Sequence, residues 1–427
     1  MADRPSVRVR AGGLRIEAIK IGVYCMTSFA PHEDVRKELI ETVATTCQQR
    51  FYDPQLHGIA VRDLLGRERS RLLRTPTFTH DFNNVLAGLE AYPVEFGHES
   101  ERRIGLWKAI KCSFFRWNGA WIFQDVLVGG HAQHVGVRPG ATLMAIDGAE
   151  LNGDIPRFKV SPTVRVTFRN PGEGDRDFQF NPAEKEDESR TQYVEHRRLD
   201  DRIGYIRISK FPGILGMGVA QEIDAAVRAL RNPNVLIVDM RGNLGSVGAG
   251  NLRLMSYFTP DRVPVGYSLT RARAQQGYRR EELAQFTQIP RSKLLAPLTL
   301  LKFKDGDKSI TIVTEGLGKK SFHGRIIMLV NEHTISGGEI VAGFASDHKL
   351  AILVGTPTAG KLLGWASVSV GHDCFLTLPT VNYVTWEGRT FERTGVIPDH
   401  HVPFSPEDAI RGADNQLAAA TELARSL

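Results

Sequence analysis

The chain has little cysteine. Its four residues of this type, Cys25, Cys47, Cys112 and Cys374, lie far apart and form no CxxC pair. That spacing excludes a zinc ribbon or a disulfide framework and leaves free buried thiols as the expectation. No stretch approaches about 18 apolar residues, so no membrane-spanning helix is expected. The N-terminus, MADRPSVRVR, has no apolar run behind its charges, so no signal peptide is read. Taken as given, the sequence implies a cytoplasmic protein, or a periplasmic or exported one if an export signal has been trimmed. Neither sign of charge dominates: Lys and Arg total 54, Asp and Glu 48. Nucleic-acid binders gather basic charge in a patch. Short clusters here, such as RDLLGRERSRLLR (62–74), read as solvated helix faces, and no nucleic acid is expected. The histidines, including the pair His400-His401, lack ligand spacing, so neither metal nor cofactor is expected. There is no repeat or low-complexity tract, and nothing specifies an oligomeric state.

One motif is nearly present. VGTPTAGKLLGW (354–365) contains GTPTAGKL, one letter from the phosphate-cradling GxxxxGK[ST]. The missing letter matters, because the hydroxyl after the lysine ligates Mg²⁺. Leu362 stands there instead. A phosphate loop also needs a helix behind it, whereas ASVSV (366–370) alternates like a strand. Lys361 must therefore do something else.

The length suits two or three domains. HEDVRKELIETVATTCQQRF and TPTFTHDFNNVLAGLEAY have helical spacing, separated by a turn at FYDPQLHG. A second unit, 104–182, holds short strands: WIFQDVLV, ATLMAIDG, TVRVTFRN. NPAEKEDESR (181–190) is charged and reads as a linker. From 190 onwards strands alternate with helices: RIGYIRIS, a helix near 217–231, VLIVDM, RIIMLV, a helix near 337–347, and LAILVG. That order indicates an α/β sheet with parallel pairing. The stretch 270–308 is an excursion from it, and a capped helix closes the chain.

In such sheets the site lies beyond the carboxyl ends of the strands. Two loops qualify: RGNLGSVGAG after VLIVDM, and NEHTISGGE after RIIMLV. The second puts Ser336 ahead of Gly337 at a helix start, where main-chain amides favour developing negative charge. Ser336 reads either as an N-cap or as a nucleophile. A nucleophilic serine needs a base, and Lys361, among Gly360, Leu362, Leu363 and Trp365, is expected to be desolvated and so able to serve as one.

TISGGE followed twenty-five residues later by the lysine of VGTPTAGK resembles the carboxyl-terminal processing (tail-specific) serine peptidase family. RFYDPQLHG, HAQHVGVRPGATLMAIDGAEL, RIGYIRISKF, IVDMRGNLG and TGVIPDHHV resemble further blocks of that family, in its order. The resemblance implies a helical N-terminal region (1–103), a PDZ-like β-rich domain (104–182) and an α/β peptidase core with a mixed sheet of the ClpP/crotonase-like kind (190–427). It implies a Ser336–Lys361 dyad with Gly245 and Gly337 as oxyanion donors and Glu339 as a structural or orienting acid. His98 and Glu392 fall where the related tricorn-like branch carries a histidine and an acid, which makes His98 a rival base. Three departures stand out. Trp365 replaces a glutamine that helps orient the lysine, Ser246 replaces the second glycine of the DLRxNxGG motif, and NGAWIF (118–123) replaces a Gly-rich carboxylate-binding loop. The implied function is endoproteolysis near protein or peptide C-termini. The alternatives are acyl chemistry on a small peptide or ester in biosynthesis, and a non-catalytic PDZ-containing binding protein.

Overall fold

In the computed structural model of the chain, the described residues are 29–151, 155–184, 191–212, 217–289 and 309–427. Cys25, the N-terminal reading, linker residues 185–190 and part of the excursion (290–308) fall outside them. Cys47, Cys112 and Cys374 are free, buried thiols. Among the described residues no helix is long and apolar enough to cross a membrane.

The site rests on a six-stranded sheet ordered Val194–Arg198, Ile203–Ile208, Val235–Asp239, Arg325–Val330, Ile352–Gly355, His400–His401. The first pair is antiparallel and the rest are parallel. VLIVD and IIMLV are buried without a break, as expected of strands covered on both faces. The period of two divides their side chains. Leu236, Val238, Met328 and Val330 face a core shared with helices Met217–Leu230, Ala249–Phe258 and Gly337–Asp347. Val235, Ile237, Ile327 and Leu329 face Ala420 and Ala424 of helix Asn415–Ser426.

A second sheet is built around the twelve-residue strand Cys374–Thr385. Gly364–Gly371 pairs along one of its edges. Glu95–His98 and then Pro264–Thr270 share the other. Helices Glu33–Arg50, Val61–Arg74 and Phe78–Leu86 share one apolar cluster with Val370, Cys374, Leu376 and Leu378 of this sheet. The N-terminal helices thus bury their apolar faces against strands from the far end of the chain.

The middle of the chain forms an antiparallel sheet, Cys112–Trp117, Ala120–Val126, Thr142–Ile146, Val164–Arg169 and Asp175–Phe180, over its own apolar cluster. The Asp147-Gly148 turn has both residues at positive φ, as a tight turn after Ile146 requires.

Candidate active site

Strands Val235–Asp239 and Arg325–Val330 end side by side, with Asp239 paired to Leu329, and the loops that follow them converge. Ser336 opens helix Gly337–Asp347 at φ 52° and ψ −116°, a region that costs a non-glycine residue about 1–3 kcal/mol. Its hydroxyl makes no cap hydrogen bond. The main chain closes the first turn instead, since Ser336 N–H donates to Glu339 Oε2 (3.0 Å) and Glu339 N–H donates to the Ser336 carbonyl (2.9 Å). Ser336 therefore takes the N-cap position of this helix, its N–H held by Glu339 as in a capping box.

Gly245 is brought against the serine: a Cβ added there would lie 2.7 Å from Ser336 Cβ. Its N–H, however, donates to Asn243 Oδ1 (2.9 Å). Gly337 N–H has no acceptor among the described residues. A Cβ on Gly337 would collide with the Ser246 carbonyl oxygen, so only glycine allows this approach. Ser246 itself is at φ 76°.

Glu339 is fully buried. Its Oε1 accepts from Thr358 Oγ1 (2.7 Å) and Gly360 N–H (2.6 Å), and its Oε2 from Ser336 N–H and Lys361 N–H (2.8 Å). Burial pushes its pKa up, against the pull of these four donors. Glu392 holds the next residue of the same loop, accepting from Leu362 N–H (3.1 Å). Burial, with the nearby Glu339 charge adding to it, raises the Glu392 pKa to about 7. Two carboxylates therefore grip the lysine loop through its main chain.

The lysine side chain does not follow expectation. Leu362 and Leu363 turn inward and are buried, while Lys361 and Trp365 are exposed. Lys361 Nζ lies 4.4 Å from the centroid of the Tyr92 ring. Among the described residues no hydrogen bond joins it to Ser336, and no carboxylate pairs with it. Desolvation by apolar sequence neighbours fails here because Leu362 and Leu363 both turn into the core and leave the lysine at the surface.

His98 lies elsewhere. It ends strand Glu95–His98 opposite Cys374, stacks on Phe29 (4.1 Å between ring centroids) and bonds Ser100 Oγ through Nδ1 (2.7 Å). Among the described residues no contact joins it to Ser336 or Glu392.

Several supporting residues were not singled out from the sequence, although Asp239, Arg241 and Asn243 fall in its DLRxNxGG-like stretch. Asn243, fully buried, also donates to the Ile208 carbonyl (2.8 Å) and accepts Ile335 N–H at its own carbonyl (3.1 Å). It ties both loops to the sheet. Asn251 Nδ2 is buried without a partner and lies 3.5 Å from the Cβ point of Gly337. From the middle sheet, Asp125 accepts from Asn331 Nδ2 (2.8 Å), and Gln124 bonds both Glu332 (2.9 Å) and His333 (3.1 Å). Beneath the site, burial alone would raise the Asp239 pKa, but Arg241 and Arg207 hold it well below the carboxylate range. A buried pair of this kind fixes the loop exit, with Arg241 also bound to Asp414 (2.8 Å).

Residues 202–402 match the model of peptidase family S41. A carboxyl-terminal-processing protease of Synechocystis is 21% identical over 310 residues, 70% of this chain and 63% of that protein. One from Bartonella bacilliformis is 33% identical over 101 residues, 24% of this chain and 23% of that one. Carboxyl-terminal-processing peptidase 2, chloroplastic, of Arabidopsis thaliana is 24% identical over 231 residues, covering 53% of this chain and 37% of that protein. The chain thus spans less than two thirds of the length of these curated relatives. Among solved structures, the photosystem II D1 C-terminal processing protease superposes with a TM-score of 0.51 at 17% identity, over 89% of this chain and 95% of that one. Mature CPAF complexed with lactacystin gives 0.55 at 13%, over 91% and 98%. These likenesses show a shared fold with mixed sheets and helices.

Proposed function

We propose, from the premise that this chain belongs to the carboxyl-terminal processing family of S41 peptidases, that it is a serine endopeptidase acting near the C-termini of proteins or peptides. One observation carries the reading: a strained serine with an uncommitted hydroxyl shares a buried carboxylate with the loop that bears Lys361.

In this reading Ser336 Oγ attacks the scissile carbonyl while the neutral Lys361 amine takes its proton. The carbonyl oxygen becomes an oxyanion beside the free Gly337 N–H, at the positive end of helix Gly337–Asp347. Gly245 joins by exchanging its bond to Asn243 for the oxyanion. The C–N bond then breaks, the leaving amine receives the proton from Lys361, and water releases the acyl group by the reverse proton route. In this reading Lys361 reaches Ser336 by rotating off Tyr92 when a substrate chain lies over the site. Glu339 and Glu392 position the loop without touching substrate. The middle sheet is the PDZ-like domain in this account. Gln124 and Asp125 tie that sheet to the loop that leads into Ser336.

A fluorophosphonate or other serine-directed acylating probe tests the reading. A single adduct on the Ser336 peptide, absent in Ser336→Ala, is expected. No adduct, or one on another residue, contradicts it.

A further inference from the structure

The strand that leaves the Lys361 loop has an open edge. Gly364–Gly371, sequence GWASVSVG, pairs among the described residues with Cys374–Thr385 alone. Hydrogen bonds to neighbouring residues settle which of its groups face outward. Phe96 uses both main-chain groups on Asn83 (2.7 and 2.8 Å), so it does not bond its partner Leu376. Leu376 must then bond the other way, to Val368. The Pro379 carbonyl agrees, accepting Tyr52 N–H (3.0 Å) on the side away from Trp365. By the alternation of an antiparallel ladder, Trp365, Ser367 and Ser369 present N–H and C=O to the free edge. No second strand pairs with this edge among the described residues, and all three residues are exposed.

Natural sheets guard such edges with charges, proline, bulges or a covering element. GWASVSVG carries neither charge nor proline, and its register shifts lie only at its two ends, between Gly364 and Trp365 and between Ser369 and Gly371, leaving Trp365–Ser369 regular. Its inner face is fixed by Val368 and Val370 in the apolar cluster beneath. Its start is fixed to the site, since Glu339 and Glu392 hold residues 360–362. The exposed Trp365 marks that start, with Lys108 Nζ of the middle unit 5.9 Å from its ring.

We infer that this edge is the substrate track: an extended peptide adds as a further strand to Trp365, Ser367 and Ser369 and is led by them to Ser336. The inference rests on the peptidase reading of Ser336. The occupant is a peptide chain because the edge offers main-chain donors and acceptors at two-residue spacing and no charged side chain. It takes unfolded segments of low charge, with little regard for sequence along the track. A second copy of this chain would use the same hydrogen bonds, and the test separates the two.

The probe is a fluorescein-labelled ten-residue peptide of alternating alanine and valine, solubilised by a terminal lysine. Binding is measured by fluorescence anisotropy to Ser336→Ala and to the same protein carrying Ser367→Pro. Proline at 367 removes an outward donor, and edge strands tolerate proline there. Circular dichroism and melting confirm that both proteins are folded, and Ser369→Pro replaces Ser367→Pro if that variant is not. The expected result is binding at least about fivefold weaker in the proline variant. An equal loss is expected when alternate amides of the peptide are N-methylated, with little change for the intervening ones. Absent binding, or equal binding by both proteins, overturns the inference. A concentration-dependent dimer that Ser367→Pro dissolves, without a change in peptide binding, assigns the edge to a second copy and also overturns it. Hydrolysis of the same peptide by the unsubstituted chain is read separately. Edge-dependent binding without cleavage supports the track and removes the peptidase reading. Cleavage with equal rates in the otherwise unsubstituted Ser367→Pro removes the track and leaves the peptidase.

Discussion

The main-chain N–H groups of Ser336 and Lys361 donate to one oxygen, Oε2 of Glu339, at 3.0 and 2.8 Å. They lie twenty-five positions apart in the chain, and a buried carboxylate holds their backbones to a common point. Glu339→Gln keeps the volume but turns an amide donor towards some of the four donors the carboxylate serves. An unmet buried donor costs about 1–3 kcal/mol. Urea unfolding should show a loss of that order, with hydrolysis reduced more than binding of the Ala-Val peptide. Unchanged stability and activity would remove Glu339 from the account.

Lys361 Nζ lies over the Tyr92 ring, 4.4 Å from its centroid, and among the described residues it makes no hydrogen bond to Ser336. An exposed cation–π contact is worth about 0.5–1 kcal/mol. Tyr92→Ala should therefore free the lysine and raise kcat by up to about fivefold where the chemical step limits. Initial rates at saturating peptide check this. A fall in kcat with KM unchanged would assign Tyr92 a direct role in the reaction.

Gly337→Ala puts a methyl group against the Ser246 carbonyl oxygen. The loop after strand Val235–Asp239 and the serine must move apart, at a cost of about 1–3 kcal/mol. Hydrolysis should fall by at least about 10²-fold, the scale of one lost oxyanion donor, while the acylating probe still finds Ser336 slowly. Wild-type turnover in this variant would place the oxyanion elsewhere.

Glu392 has a pKa raised to about 7, first by burial. A carboxyl with a raised folded pKa binds its proton more tightly folded than unfolded. Its contribution is complete below the unfolded value of about 4.5 and is lost as pH rises through about 7. Melting temperature should decline across that window, and Glu392→Gln should remove at least about 2 °C of the decline. An identical pH–melting profile in the glutamine variant would contradict the shift.

The sequence made much of this legible. The unbroken apolar runs VLIVD and RIIMLV showed the parallel core, because strands covered on both faces need no polar alternation. Ser336 and Lys361 were visible from glycines and chain order. The direction of the Lys361 side chain was not, since Leu362 and Leu363 suggested burial that they keep for themselves. Strand Cys374–Thr385 was hidden by Pro379, which normally argues against an interior strand. It is tolerated because Pro379 lies between the stretches paired with Glu95–His98 and with Pro264–Thr270, where no ladder bond is required of it. Asn243 falls on the asparagine of the DLRxNxGG motif, but its bonds to Ile208 and Ile335 lie far away in the chain, and the role of Asp125 leaves no trace in its local sequence.

The most direct test of the dyad is peptide hydrolysis by Lys361→Arg, measured beside Lys361→Ala and His98→Ala. Arginine keeps the charge and much of the length but cannot give up its proton in a protein. The account predicts that Lys361→Arg and Lys361→Ala are equally inactive, down by at least about 10⁴-fold, while His98→Ala retains most of the activity. Hydrolysis that survives in both lysine variants and disappears in His98→Ala would show that the histidine is the base and that Lys361 is a bystander.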